Sequence, residues 1–197
     1  MPTDLLAALM LYALVSSITP GPNNLMLLAS GVNFGFRRTI PHMLGVSLGH
    51  SFMVVVVGLG LAGIFTALPW ARLALTVASV AYLLWLAWKI ANAAPPRPGA
   101  ARGKPFNFLQ AAAFQWVNPK AWTMALTAIA LYAQGPGLVP VALVAGVFLC
   151  TNLPSIALWA ATGSALSHWL QDPRRLRAFN ISMALLLVAS LWPVLAR

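Results

Sequence analysis

The chain has 197 residues, 60% of them hydrophobic and 7% charged, with a formal net charge of +10. A soluble domain carries roughly 25% charged residues, so this chain cannot cover a water-facing surface and lipid has to cover most of it. The positive charge does not point to nucleic acid, because the basic residues sit in short gaps between apolar runs, as in a membrane protein.

Crossing hydrocarbon takes about 20 apolar residues, and six stretches meet that need. The first covers 5–30. It follows Met1-Pro2-Thr3-Asp4, which lacks Lys and Arg, and it outruns the short apolar core of a cleaved signal, so it is read as a retained span. Within it stands Thr19-Pro20-Gly21-Pro22-Asn23-Asn24. The segment from Gly31 through Gly35 to Arg38 separates it from the second span, 41–65. That span carries Gly45-x-x-x-Gly49 and Gly58-x-Gly60-x-x-Gly63, spacings that let neighbouring helices approach closely. The third span covers 70–91, and Pro95, Pro96, Pro98 and Gly99 then mark a longer linker. The fourth, 106–132, contains Asn118-Pro119-Lys120. Gln134-Gly135-Pro136-Gly137 makes a turn into the fifth, 138–167, which holds the only cysteine, Cys150, and Asn152-Leu153-Pro154. Asp172-Pro173-Arg174-Arg175 closes the last gap before 179–196. Trp70, Trp85, Trp88, Trp169 and Trp192 fall near span ends, as interfacial anchors do. A lone cysteine forms no internal disulfide and fits no metal-ligand spacing, so no cofactor or metal is expected.

Charge sets the orientation. Arg37 and Arg38 follow span one, Lys89, Arg97, Arg102 and Lys104 follow span three, and Arg174, Arg175 and Arg177 follow span five. The opposite side has Arg72 and Arg197. The Lys and Arg excess marks the cytoplasmic side, so both termini are expected in the periplasm of a bacterium. Three spans per half force the halves to be inverted, and Pro20 and Pro119, about half a chain apart, mark such a repeat. The expected fold is therefore an all-α membrane protein of six transmembrane helices in two inverted three-helix repeats, with helices one and four broken by proline. It forms one domain, with repeat one about 1–92, a linker about 93–105 and repeat two about 106–197.

The two breaks carry the functional reading. A proline inside a helix removes a hydrogen bond and clashes with the preceding turn, and in lipid the freed carbonyls must find partners within protein or a water-filled cavity. Pro22 can open a new half-helix, and Asn118 can cap another that begins at Pro119. The two new N-termini then converge near the membrane middle from opposite faces, each carrying roughly half a positive charge. Such ends bind a carboxylate. The ammonium of an amino acid would meet carbonyls freed around Ser16, Ser17, Gln115 and Trp116, the side chains of Asn23, Asn24, Asn118 and Asn152, or the ring of Trp116 or Trp122. The candidate substrate-binding set is Thr19, Pro20, Gly21, Pro22, Asn23, Asn24, Gln115, Asn118, Pro119, Lys120 and Asn152.

Lys120 is the one strongly charged side chain deep in a span, and the only acids, Asp4 and Asp172, lie in flanks. It therefore faces either a substrate carboxylate or, as a snorkelling or carbonyl-capped lysine, polar backbone or water. If transport is proton-coupled, His50, Lys120 or the substrate must carry the proton. For His50 the alternative is a neutral histidine hydrogen-bonded between helices.

Thr19-Pro20-Gly21-Pro22-Asn23, with Gly31, Gly35, Arg37, Gly45 and Asn118-Pro119-Lys120, resembles the LysE/RhtB family of amino-acid exporters over nearly the whole chain. Ser47-Leu48-Gly49 and the stretch from Ala81 to Ile90 look most like its cysteine/O-acetylserine exporter branch. The resemblance implies a secondary transporter, not an enzyme, that exports amino acids or close derivatives across the bacterial inner membrane on the proton gradient. Some relatives are thought to use acidic residues within their spans. This chain has none there, which favours small neutral substrates of the cysteine, O-acetylserine, threonine or homoserine type over lysine. An intramembrane enzyme built on His42 and His50 lacks a His-Glu metal motif or a Gly-x-Ser-x-Gly elbow. A non-transporting scaffold explains the spans but not two proline breaks. The expected partners are an amino acid and the lipid bilayer, with no nucleic acid; a homodimer is open to so small a bundle, although no motif demands one.

Overall fold

Proline and glycine divide the chain into helices where they delete a hydrogen bond or adopt dihedrals that other residues avoid. The computed structural model describes residues 1–61, 64–93, 104–135 and 137–192. The regular structure of these residues is all helical: α1 (Thr3–Ile18), α2 (Pro22–Phe34), α3 (Phe36–Gly58), α4 (Ile64–Ala67), α5 (Pro69–Ala91), α6 (Phe108–Phe114), α7 (Pro119–Tyr132), α8 (Leu138–Leu166) and α9 (Pro173–Ala189). Short 3-10 turns follow α6 at Gln115–Val117 and α8 at Trp169–Gln171. Gly63, the linker residues Pro95, Pro96, Arg97, Pro98, Gly99 and Arg102, Pro136 and the terminal Ala196 and Arg197 lie outside the described residues.

Among the described residues three helices are long and apolar enough to cross a bilayer, Phe36–Gly58, Trp70–Ala91 and Leu138–Leu166. A fourth span results if α1 and α2, bent by 52° at their break, are counted as one. Large apolar side chains such as Leu11, Phe52, Leu73, Leu109 and Leu185 point outward, as lipid contact requires.

Several element boundaries differ from those expected, each for a local reason. Gly31 does not end the first span: α2 runs on to Phe34, and the turn falls at Gly35, whose φ of 80° suits glycine. Gly31 instead lets α2 close on α8, since a Cβ there would strike the Ala160 carbonyl. Its counterpart Gly163 on α8 meets the Leu28 carbonyl of α2 in the same way. Gly45 and Gly49 do serve close packing, setting α3 against Phe108, Ala111 and Ala112 of α6. Gly58 packs on Val141 and Ile129, but Gly60 (φ 108°) has nothing near its Cβ direction and makes the turn after α3. The last helix starts before its apolar run, because the Asp172 carboxylate accepts hydrogen bonds from the amides of Arg174 and Arg175 and Pro173 takes the first helical position.

Pro154 does not interrupt α8. Nearby hydroxyls turn back onto the helix, Thr151 donating to the Val147 carbonyl and Ser155 to that of Thr151. The long α8 packs against α1, α2 and α3, α3 packs against α6 and α7, and α5 against α9. One apolar core joins Leu9, Met53, Trp122 and Phe148. A second joins Leu25, Leu83, Phe114 and Leu187.

Candidate functional site

The two proline breaks meet. At the first, Thr19 (ψ 145°) and Gly21 (φ −176°) are extended and Pro22 opens α2. Each carbonyl released there has a donor. The Asn24 amide donates to the Ser17 and Thr19 carbonyls, both at 2.8 Å. The Thr19 hydroxyl donates to the Ser16 carbonyl at 3.1 Å. From the second half of the chain, Trp159 Nε1 donates to the Ile18 carbonyl at 3.0 Å. Lys120 Nζ donates to the Thr19 carbonyl at 2.7 Å, the Thr19 hydroxyl at 3.0 Å and the Pro20 carbonyl at 3.4 Å.

At the second break α6 tightens into its 3-10 turn, Asn118 turns extended and Pro119 opens α7. Asn118 Oδ1 accepts from the Lys120 amide at 3.1 Å, a side-chain cap on the new helix. The Gln115 carbonyl accepts from the Asn118 amide, and the Trp116 carbonyl from Trp122 Nε1. A reciprocal amide pair ties the breaks together: Asn23 Nδ2 donates to Gln115 Oε1 at 2.8 Å, and Gln115 Nε2 to Asn23 Oδ1 at 3.2 Å.

A cavity of about 20 Å³ lies between them. Of the candidate residues, Gly21, Asn23, Asn24, Asn118, Lys120 and Asn152 line it, together with His50. Thr19 and Pro20 border it through their bonds to Lys120, Pro22 and Pro119 start the two helices, and Gln115 supports Asn23 from behind. A space of this size suits about one water, so a larger ligand enters only if side chains such as Lys120 move aside.

The first-turn amides of α2 and α7 have no carbonyl one turn back, and each helix start carries roughly half a positive charge. Lys120 adds a full one. No carboxylate lines the cavity among its described residues, and no cluster of metal-ligating side chains occurs among the described residues. The electrostatics favour an anionic group.

Other candidates are placed differently from the expectation. Ser16 and Ser17 line the cavity as expected, but the carbonyls of Ser16, Ser17, Gln115 and Trp116, expected to face an ammonium, all accept hydrogen bonds from within the chain. The rings of Trp116 and Trp122 pack edge to face at 6.0 Å rather than against the cavity. Lys120 takes the carbonyl-capped arrangement while still lining the cavity. His50, 2% exposed, sets its ring against Phe148 at 5.0 Å, and its Nε2 has no hydrogen-bond partner among the described residues. His42 packs on Phe106 at 5.3 Å and does not line the cavity, so the two histidines share no site.

Four contributors escaped the sequence reading, among them Ala121, which lines the cavity beside Lys120. Met124 and Ile156 line the cavity one helical turn beyond Lys120 and Asn152, a spacing that signals a shared face. Trp159 had no such signal, because its partner is the Ile18 carbonyl on another helix.

The sequence profile of the LysE type translocator family matches residues 14–190. The cysteine/O-acetylserine efflux protein of Escherichia coli (strain K12) is 34% identical over 195 residues, covering 95% of this chain and 96% of its own length. The protein of the same name from Shigella flexneri is 35% identical over 191 residues, covering 93% and 94%. No solved structure matches the chain.

Proposed function

This chain belongs to the LysE type translocator family, a family of transporters rather than enzymes, and from that premise we propose that it exports small neutral amino acids or their derivatives, of the cysteine, O-acetylserine, threonine or homoserine type. The observation that carries this reading is the meeting of two interrupted helices on one cavity. The starts of α2 and α7 and the Lys120 side chain line that cavity without a carboxylate. A substrate carboxylate is drawn to the helix starts and Lys120. A cationic side chain such as that of lysine finds no acidic partner there. The names of the efflux relatives point to the same small, uncharged side chains.

We further propose the six-span arrangement, with α1–α2 and α6–α7 as the two broken spans, repeats at about 1–92 and 106–197 and a linker between. Its support is a correspondence in the packing. Exchanging α1–α2 with α6–α7 and α3 with α8 turns the α2–α8 contact into α7–α3, and α1–α8 into α6–α3; all four contacts occur. The distribution of Lys and Arg supports an inner-membrane orientation with both termini in the periplasm.

Export is proposed to run on the proton gradient, with His50 as the coupling group. Its support is burial beside the cavity with an Nε2 that has no hydrogen-bond partner among the described residues. A scaffold role gives no reason for two breaks joined by Asn23, Gln115 and Lys120. Proteoliposomes holding the purified chain test the proposal. With a pH gradient imposed, they should release cysteine, O-acetylserine, threonine and homoserine faster than protein-free vesicles, and lysine no faster. No flux of any amino acid in a broad panel would overturn it.

A further inference from the structure

We propose, resting on the export reading above, that the carbonyl oxygens of Thr19 and Pro20 and the Thr19 hydroxyl form the binding site for the substrate's ammonium group, and that Lys120 yields this site when its own ammonium turns to the substrate's carboxylate. A lysine head group is a primary ammonium with three N–H donors and no acceptor. It is seated on three oxygens, at 2.7, 3.0 and 3.4 Å. The α-ammonium of an amino acid offers the same donors to the same oxygens.

These acceptors are singled out by their neighbours. The Ser16, Ser17 and Ile18 carbonyls are held by Thr19, Asn24 and Trp159. The Thr19 carbonyl also accepts from Asn24, but the Thr19 and Pro20 oxygens are the ones at this break that a long, flexible side chain reaches. Thr19 and Pro20 are exposed, whereas Gly21 and Asn24 are buried, so the oxygens stand at the edge of the cavity and can be reached. The oxygens also lie at the C-terminal end of α1, where a helix carries roughly half a negative charge, while the starts of α2 and α7 carry the opposite sign. The charge pattern between those ends suits a zwitterion once Lys120 has moved aside.

The exchange leaves no charge stranded. Lys120 leaves three oxygens for a carboxylate, and the substrate's ammonium takes the oxygens that Lys120 left. Gly21 keeps the path clear: a Cβ there would lie 2.6 Å from Lys120 Cδ and 3.1 Å from Nζ. The mechanism selects for molecules carrying both groups. An amine without a carboxylate has nothing to draw Lys120 away.

Binding of three probes to the purified full-length chain tests this: cysteine, cysteamine (amine only) and 3-mercaptopropionate (carboxylate only). Wild type should prefer cysteine to both. Lys120→Met should tighten cysteamine about tenfold, because a hydrogen-bonded charge is worth about one such factor, and should weaken 3-mercaptopropionate. Unchanged or weaker cysteamine binding by Lys120→Met overturns the inference. Thr19→Val gives a second reading if the lysine variant does not fold: the hydroxyl holds Lys120 before the exchange and the substrate's ammonium after it, so cysteine should bind about equally well and 3-mercaptopropionate, which leaves the seat empty, more tightly. Unchanged or weaker 3-mercaptopropionate binding by Thr19→Val overturns it. Wild type that carries cysteine while these probe patterns are absent removes this inference alone; wild type that neither binds nor carries any amino acid removes the export reading.

Discussion

Asn23 and Gln115, 92 positions apart in the chain, exchange two side-chain hydrogen bonds at 2.8 and 3.2 Å. Asn23 lies in the first turn of α2 and Gln115 just before the start of α7, so the pair fixes how the two breaks face each other. Removing either amide takes away the other's partner, Gln115 keeping only the bond from its Nε2 to the Ala111 carbonyl, which costs roughly 1–3 kcal/mol. Gln115→Leu and Asn23→Leu should each lower the melting temperature in detergent. The double variant should lose less than the sum of the two, because no orphaned amide remains. Simple additivity would show that the pair is not coupled.

The α2–α8 crossing depends on Gly31 and Gly163 packing against each other's helix backbone. Valine at either position has to push the helices apart, and overpacking of this kind costs roughly 1–3 kcal/mol. Both variants should show lower melting temperatures and poorer yield. Gly146, with open space at its Cβ position, is the control: Gly146→Ala should be neutral or slightly stabilising.

Gly21→Ala separates function from stability. The added methyl meets Lys120 Cδ at 2.6 Å, the middle of a flexible chain that can be displaced. The melting temperature should stay near that of wild type while vesicle efflux falls about tenfold, the equivalent of about 1.4 kcal/mol. Unchanged efflux would mean that the seat of Lys120 is irrelevant to transport.

His50 tests the coupling. His50→Phe keeps a ring against Phe148 but cannot carry a proton. Exchange of labelled for unlabelled substrate across the membrane should persist, and accumulation driven by a pH gradient should be lost. Gradient-driven accumulation that survives in this variant removes His50 from the coupling step.

The breaks were legible in the sequence because proline chemistry is local: Pro22 and Pro119 each start a helix, and Asn118 caps the second, as their residue types dictate. The roles of the glycines were not. Whether Gly31 or Gly35 makes the turn depends on which one α8 needs for close contact, and that is decided by tertiary packing. Asp172-Pro173 reads as a gap by hydropathy yet has the chemistry of a helix start, which is why α9 begins before its apolar run. The partner of Lys120 was hidden for another reason. A sequence tells that carbonyls are freed at a break, but not which of them Asn24 and Trp159 hold, nor that Lys120 shares the Thr19 carbonyl with Asn24 and takes that of Pro20.

The central claim is that a carboxylate-bearing substrate is held where the two breaks meet, with Lys120 as its cationic partner. Its most direct test is efflux of cysteine, O-acetylserine, threonine, homoserine and leucine from proteoliposomes containing wild type or Lys120→Ala. The account predicts that every amino acid wild type exports leaves at least about tenfold more slowly through the variant, as loss of a charge-assisted hydrogen bond implies. Equal efflux of all of them by a folded Lys120→Ala protein would contradict it.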